Sequence, residues 1–156
     1  MCGKPSAGFI ITTFKAIFCK KTPTNVQGKQ IKIKKKDLIQ RFLPYRSQLL
    51  EWTKQTKVPL FFSEVGYPSH DRALETPWDQ HRGTRVDMET QKSGYEAFIA
   101  TFSGDQQIRG ILFYALHEDG GQTDRGYTPA GKPAIETLRR YFRDRSENSD
   151  GLRSRP

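Results

Sequence analysis

From Asp37 onward the apolar positions follow a regular pattern. Leu38, Phe42, Tyr45, Leu49 and Trp52 recur at alternating steps of four and three, which puts them on one stripe of a helix. Pro44 interrupts the stripe, so the helix either starts near it or kinks there. The helix is expected to end near Thr56, ahead of Val58-Pro59. The short run Leu60-Phe61-Phe62, flanked by Pro and Gly, then reads as a buried strand of a parallel sheet. A second helix is predicted from Asp87, a residue suited to capping, with Met88, Tyr95, Phe98, Ile99 and Phe102 on one face and Gly104-Asp105 at its end. Ile108 to Tyr114 reads as another buried strand, and Pro133 opens a third helix with Ile135, Leu138, Tyr141 and Phe142 inward. Helix, short loop and buried strand in alternation make an α/β chain with a parallel sheet.

The ends of the chain break this pattern. Residues 1–36 are expected to form a basic, poorly structured extension, with Gly8 to Phe18 a short strand or an irregular lead-in. Residues 37–143 form the ordered domain, and 144–156, charged and without periodicity, a disordered tail. The chain has 156 residues, room for one domain but not for a complete eight-fold barrel, which needs roughly 200 or more. Its net charge is +9, but much of the excess lies at the two ends, so the middle is not marked as a nucleic-acid surface. The run from Lys29 to Lys36 lacks interleaved aromatics for base stacking, so nucleic acid is not the expected partner. Cys2 and Cys19 are two thiols rather than a disulfide framework. The apolar stretch around them is too short for a membrane span and resembles a signal peptide poorly, which favours a cytoplasmic setting. No zinc spacing, phosphate loop or Ser/His/Asp motif is present, so no metal or cofactor is expected.

The chemistry concentrates where the first buried strand ends. Ser63-Glu64 closes the apolar run, and Gly66 and Pro68 stop the extended chain. Glu64 is therefore a lone carboxylate at the carboxyl end of a strand, where α/β sheets and barrels bind their ligands. The long loop after it carries Tyr67, His70, Trp78 and His81. Tyr67 and Trp78 offer flat apolar faces with a polar handle, a surface suited to sugar rings, although each could equally anchor the loop.

Residues Pro59 to Phe142 resemble the C-terminal part of a mannanase-like glycoside hydrolase, family 113 or a close relative, within the retaining (β/α)8 clan. The resemblance rests on Ser63-Glu64-Val65-Gly66-Tyr67-Pro68-Ser69, Pro77-Trp78-Asp79, Val86 to Gln91, Gly110 to Tyr114 and Gly126 to Pro133, which occur in the family's order. It implies a partial TIM barrel holding roughly the last two or three βα units. It also implies that Glu64 is the nucleophile and that Tyr114, followed by His117, lines the subsite beside it. In the family that aromatic is usually Trp, so the shape of the subsite differs here. The acid/base partner would come from an Asn-Glu pair ending strand four, and no Asn-Glu dipeptide occurs in this sequence. Glu118, Asp119 and Asp124 follow the last strand, but Gly-flanked loops position a proton donor poorly. The implied substrate is a β-linked polysaccharide such as mannan, and the chain alone is expected to be weak or inactive. Open sheet edges would also allow self-association. The alternative is a non-catalytic carbohydrate-binding barrel remnant that stacks sugars on Tyr67, Trp78 and Tyr114.

Overall fold

The structure is a computed structural model, and it describes residues 10–13, 33–117 and 119–153. Cys2, Cys19, Lys29 to Lys32 and Glu118 lie outside the described residues, as does most of the expected N-terminal extension. The order of elements is β1 (Ile10–Thr13), α1 (Lys35–Thr56), β2 (Leu60–Val65), α2 (Met88–Phe102), β3 (Ile108–Phe113) and α3 (Ala134–Arg153). The strands form one three-stranded sheet in the order β1-β2-β3, and both pairings are parallel. The expected α/β alternation is therefore present. Part of the segment expected to be poorly structured contributes a strand to it.

Each helix begins and ends where local chemistry directs. Asp37 accepts the Lys34 amide at the start of α1, and Lys57 closes it in a left-handed conformation, with φ 61° and its amide on the Thr53 carbonyl. The helix continues through Pro44. Pro44 and Gln40 both lie on the exposed side, so the Gln40 carbonyl that loses its partner faces solvent. Asp87 caps α2 as its type predicts, accepting the Thr90 amide at 2.9 Å. The third helix starts directly after Pro133 and continues to Arg153, ten residues beyond the point where the apolar pattern stops. The disordered tail expected at 144–156 is thus helical over its described part.

The core is an aromatic cluster between sheet and helices. Phe62 on β2 meets the rings of Phe98 and Phe102 on α2, each at 5.1 Å, and Phe42 on α1 meets the same two at 6.4 and 6.0 Å. All four rings are buried. The predicted inner face of α3 is only partly so: Leu138 and Tyr141 are buried, while Phe142 is 54% exposed and touches Phe113 only with its edge. On the opposite face of the sheet the Phe61 ring lies over Gly110, where an added Cβ would sit 2.3 Å from it, and Leu112 is 55% exposed.

A glycine inside α2 shows how tightly the helix approaches the strand ends. A Cβ on Gly94 would lie 2.6 Å from the ring of Tyr67, which is wholly buried. In an exposed helix Gly→Ala stabilises by about 1 kcal/mol, but forcing an atom into a packed core costs about 1–3 kcal/mol. The Tyr67 ring is already held against Tyr95, so the second effect wins. Gly94→Ala is expected to lower stability by about 2 kcal/mol in urea denaturation. A stabilised variant would mean that Tyr67 has room to move.

Candidate functional site

A bulge decides where Glu64 points. Along β2, Leu60 and Phe62 are buried, and simple alternation would put Glu64 on the same helix-facing side. The register changes instead: Phe62 pairs with Ile111, but Val65, three residues on, pairs with Phe113, two residues on. The extra residue gives the buried position to Val65 and turns Glu64 out, the usual effect of a bulge. Glu64 is exposed and makes no hydrogen bond or ion pair among the described residues.

Three aromatic residues gather past the end of β3, and one of them, Tyr127, feels the Glu64 charge. Tyr114, just past β3, is part-exposed, and its ring meets Tyr127 at 5.1 Å and His117 at 5.8 Å. The backbone of Tyr114 is fixed: its amide donates to the Val65 carbonyl, and its own carbonyl accepts the Tyr95 hydroxyl at 3.0 Å. A Cβ on Gly66 would come within 2.5 Å of that same carbonyl, so Gly lets the β2 end lie against the β3 end. Tyr127 donates its hydroxyl to the Pro77 carbonyl at 2.8 Å. Burial pushes its phenol up to about 12, and the nearby Tyr114, Asp79 and Glu64 add to the rise. The phenol is thus a neutral donor at ordinary pH.

Trp78 is presented between two pinned carbonyls. Pro77 holds Tyr127, and the Asp79 carbonyl lies 3.0 Å from Nε2 of the buried His70. Nδ1 of the same ring accepts the Arg72 amide, so Nε2 is the donor and the imidazole is neutral. Asp71 closes the base of this loop by accepting the Thr84 and Arg85 amides. Burial opposes its charge, but those amide bonds leave its carboxyl below the ordinary range. Trp78 itself is exposed at the rim.

A buried polar frame supports these groups from below. Gln91 on α2 donates to the carbonyls of Tyr67 and Tyr127, both at 2.9 Å, and so ties the loop after β2 to the loop after β3. One turn along, Tyr95 holds Tyr114. Lys132 donates to Ser69 Oγ at 2.8 Å, Asp124 Oδ2 at 2.5 Å and the Gly126 carbonyl at 3.2 Å. Asp124 also accepts the Gly126 amide at 2.8 Å. Burial works against the Asp124 charge, but Lys132 and these amides hold its carboxyl below the usual range. So committed, Asp124 is no proton donor.

Of the residues singled out in the sequence, Glu64 and Tyr114 are exposed at the strand ends, Trp78 is exposed on the loop between β2 and α2, and His117 lies beside Tyr114. Tyr67 does not join them. It is 1% exposed, with its ring packed edge-on against Tyr95 at 5.2 Å, because the chain turns inward after Gly66 over the small surface of Gly94. A face so covered cannot stack on a sugar. Sequence reasoning also missed Tyr127, Gln91, Tyr95 and Lys132. Tyr95 was placed only as part of an apolar helix face, and the other three stood out only as members of the Val86–Gln91 and Gly126–Pro133 stretches. Among the described residues no cluster of His, Cys, Asp and Glu could hold a metal ion, and no helix is long and apolar enough to cross a membrane.

No family model and no curated protein matches the chain. Solved structures do. The GH113 β-mannanase from Alicyclobacillus acidocaldarius, in complex with ManMIm, is 29% identical, with a TM-score of 0.62 over 68% of this chain and 36% of that one. Two structures of a GH113 β-1,4-mannanase, one of them a complex, give TM-scores of 0.58 over 70% of this chain and 36% of theirs. At 18% and 19% identity these two carry the fold alone. The chain spans about a third of the length of each of these mannanases, at 36%. The resemblance read from the motifs is borne out: over about 70% of its length the chain is similar in fold to part of a GH113 β-mannanase, and at 29% identity to one of them in sequence.

Proposed function

We propose that this chain is the part of a retaining β-mannanase-like glycoside hydrolase that carries the nucleophile, Glu64. Its three parallel strands and their helices correspond to the last βα units of a (β/α)8 barrel. Trp78, Tyr114 and His117 line the sugar subsite beside the carboxylate. The observation that supports this reading is the bulge in β2, which turns Glu64 out of the sheet, near enough to Tyr127 for its charge to raise that phenol. A retaining reaction needs a second carboxyl group about 5–5.5 Å away to protonate the leaving oxygen. The family's Asn-Glu source of that group does not occur in this sequence. Loss of general acid catalysis typically costs 10²–10⁴-fold, so natural mannan is hydrolysed weakly or not at all by this chain alone.

The same argument supplies the test. An activated glycoside needs no acid, because its leaving group departs as a stable anion. With 2,4-dinitrophenyl 2-deoxy-2-fluoro-β-mannoside, a Glu64 oxygen attacks the anomeric carbon, the bond to the aryl oxygen breaks, and dinitrophenolate leaves with the electron pair. Mass spectrometry is expected to find the fluoromannosyl adduct on Glu64, and none in Glu64→Ala. An unlabelled wild-type chain, or a label that persists in Glu64→Ala, would overturn the reading. Binding of manno-oligosaccharide without any adduct would instead favour a carbohydrate-binding remnant acting through Trp78 and Tyr114.

A further inference from the structure

Lys132 is the one fully buried cation in the described structure, and the chemistry above does not use it. Its side chain is 0% exposed and its ammonium has three acceptors, Ser69 Oγ, Asp124 Oδ2 and the Gly126 carbonyl. Such a buried pair is a poor way to gain stability. Taking an ammonium out of water costs several kcal/mol, and well-packed apolar side chains would serve as well or better. What an ion pair adds is direction, and here the direction is informative. Ser69 sits five residues after Glu64, at the end of the turn that leaves β2. Asp124 to Gly126 is the stretch immediately before Tyr127. Ser69 reinforces the link: its amide reaches the Arg125 and Gly126 carbonyls, both at 3.1 Å, and its hydroxyl donates to the Asp124 carbonyl at 2.7 Å.

We propose that Lys132 is a positioning residue: by locking the turn after Glu64 to the loop before Tyr127, it holds the Tyr127–Tyr114 aromatic wall in place beside the carboxylate. The assignment rests on Glu64 being the nucleophile. The chain of contacts is short. Lys132 fixes Asp124 and Gly126, these set the start of the Tyr127 segment, Tyr127 spans to Pro77 and to the Tyr114 ring, and the Tyr114 amide is bonded to the carbonyl of Val65, the residue after Glu64.

The test separates positioning from folding. In Lys132→Met/Asp124→Leu both charges are replaced together, so no unpaired ion is left buried and the fold is expected to survive. The ties to Ser69 and Gly126 are nevertheless gone. The double variant is expected to melt within a few degrees of wild type, yet Glu64 should be labelled by saturating dinitrophenyl fluoromannoside at least tenfold more slowly. Unchanged labelling in a folded double variant would overturn the proposal. If the double variant does not fold, Ser69→Ala, which keeps the ion pair and removes one anchor, is expected to slow labelling severalfold, and an unchanged rate there overturns the proposal as well. If wild type is never labelled, the glycosidase reading fails by itself. The positioning claim is then judged by the nuclear Overhauser contacts between the Tyr114 and Tyr127 rings, 5.1 Å apart, expected in wild type and lost in the double variant. Their persistence would show that the wall stands without Lys132.

Discussion

Phe98→Ala is expected to remove about 3–5 kcal/mol of stability. The ring is completely buried and touches three others, Phe102 at 4.7 Å, Phe62 at 5.1 Å and Phe42 at 6.4 Å. It therefore joins the sheet to α1 and α2 at once, and those neighbours belong to three different elements that cannot all move in to fill the gap. Alanine is the better helix former, but that gain stays below about 0.7 kcal/mol and does not offset the cavity. Against the 5–15 kcal/mol that ordinarily separates folded from unfolded chains, the loss is large. Urea unfolding should show a lower midpoint with an unchanged slope. At about 2–4 °C per kcal/mol for a chain of this size, the melting temperature should fall by roughly 6–20 °C. Phe142→Ala is the control. That side chain is 54% exposed, and its removal is expected to cost less than about 1 kcal/mol. Equal effects at the two positions would mean that the aromatic cluster is not the core.

The contrast between these two phenylalanines shows what the sequence could and could not reveal. Phe98 lies on a stripe whose neighbours one turn away are also buried, so local periodicity was enough to place it. Phe142 continues the stripe of α3 with the right spacing, but it is the neighbouring Tyr141 that is buried, and no local pattern records which of the two a partner covers. The helices, the two apolar strands and the Asp87 cap were legible because each depends on residues within a few positions. Helical structure beyond Arg143 was not, since a helix end whose one apolar side chain is Leu152 has no apolar period to read.

The site was half legible for the same reason. Glu64 could be found at a strand end, but its direction depends on a bulge relative to β3, some fifty residues away in the chain, and plain alternation would have buried it. Tyr67 looked like a rim aromatic because it follows a Gly in a loop. It is buried because Gly94, on another element, leaves room for its ring. Gln91 and Lys132 read as ordinary polar residues, since Gln91 joins carbonyls 24 and 36 positions distant and Lys132 joins Ser69, 63 positions distant, to the nearby Asp124 and Gly126.

Asp124→Ala should be the most damaging single change in the loops, costing about 3 kcal/mol or somewhat more. It leaves the Lys132 ammonium buried with only neutral acceptors, Ser69 Oγ and the Gly126 carbonyl, around it. Breaking a buried pair from one side typically costs 3–5 kcal/mol, and the low end applies because the Asp124 side chain is 24% exposed and water can enter where the carboxylate stood. That same exposure makes the pair asymmetric. Lys132→Met leaves a carboxylate that is already partly hydrated and keeps the Gly126 amide, so its cost should be smaller, about 1–2 kcal/mol. Acid should act like the Asp124 change. The folded-state pKa of Asp124 is depressed, so its contribution is fully present above the unfolded value of about 3.9 and is lost as pH falls through the lower folded value. Wild-type stability should therefore drop in the range below about pH 4, and Asp124→Asn should lack that part of the drop. Chemical denaturation of wild type and the three variants at neutral pH and at successively lower pH reads both effects. A cost for Lys132→Met equal to or above that of Asp124→Ala would place the unrelieved charge on the carboxylate instead, and would mean that the ammonium reaches water by another route.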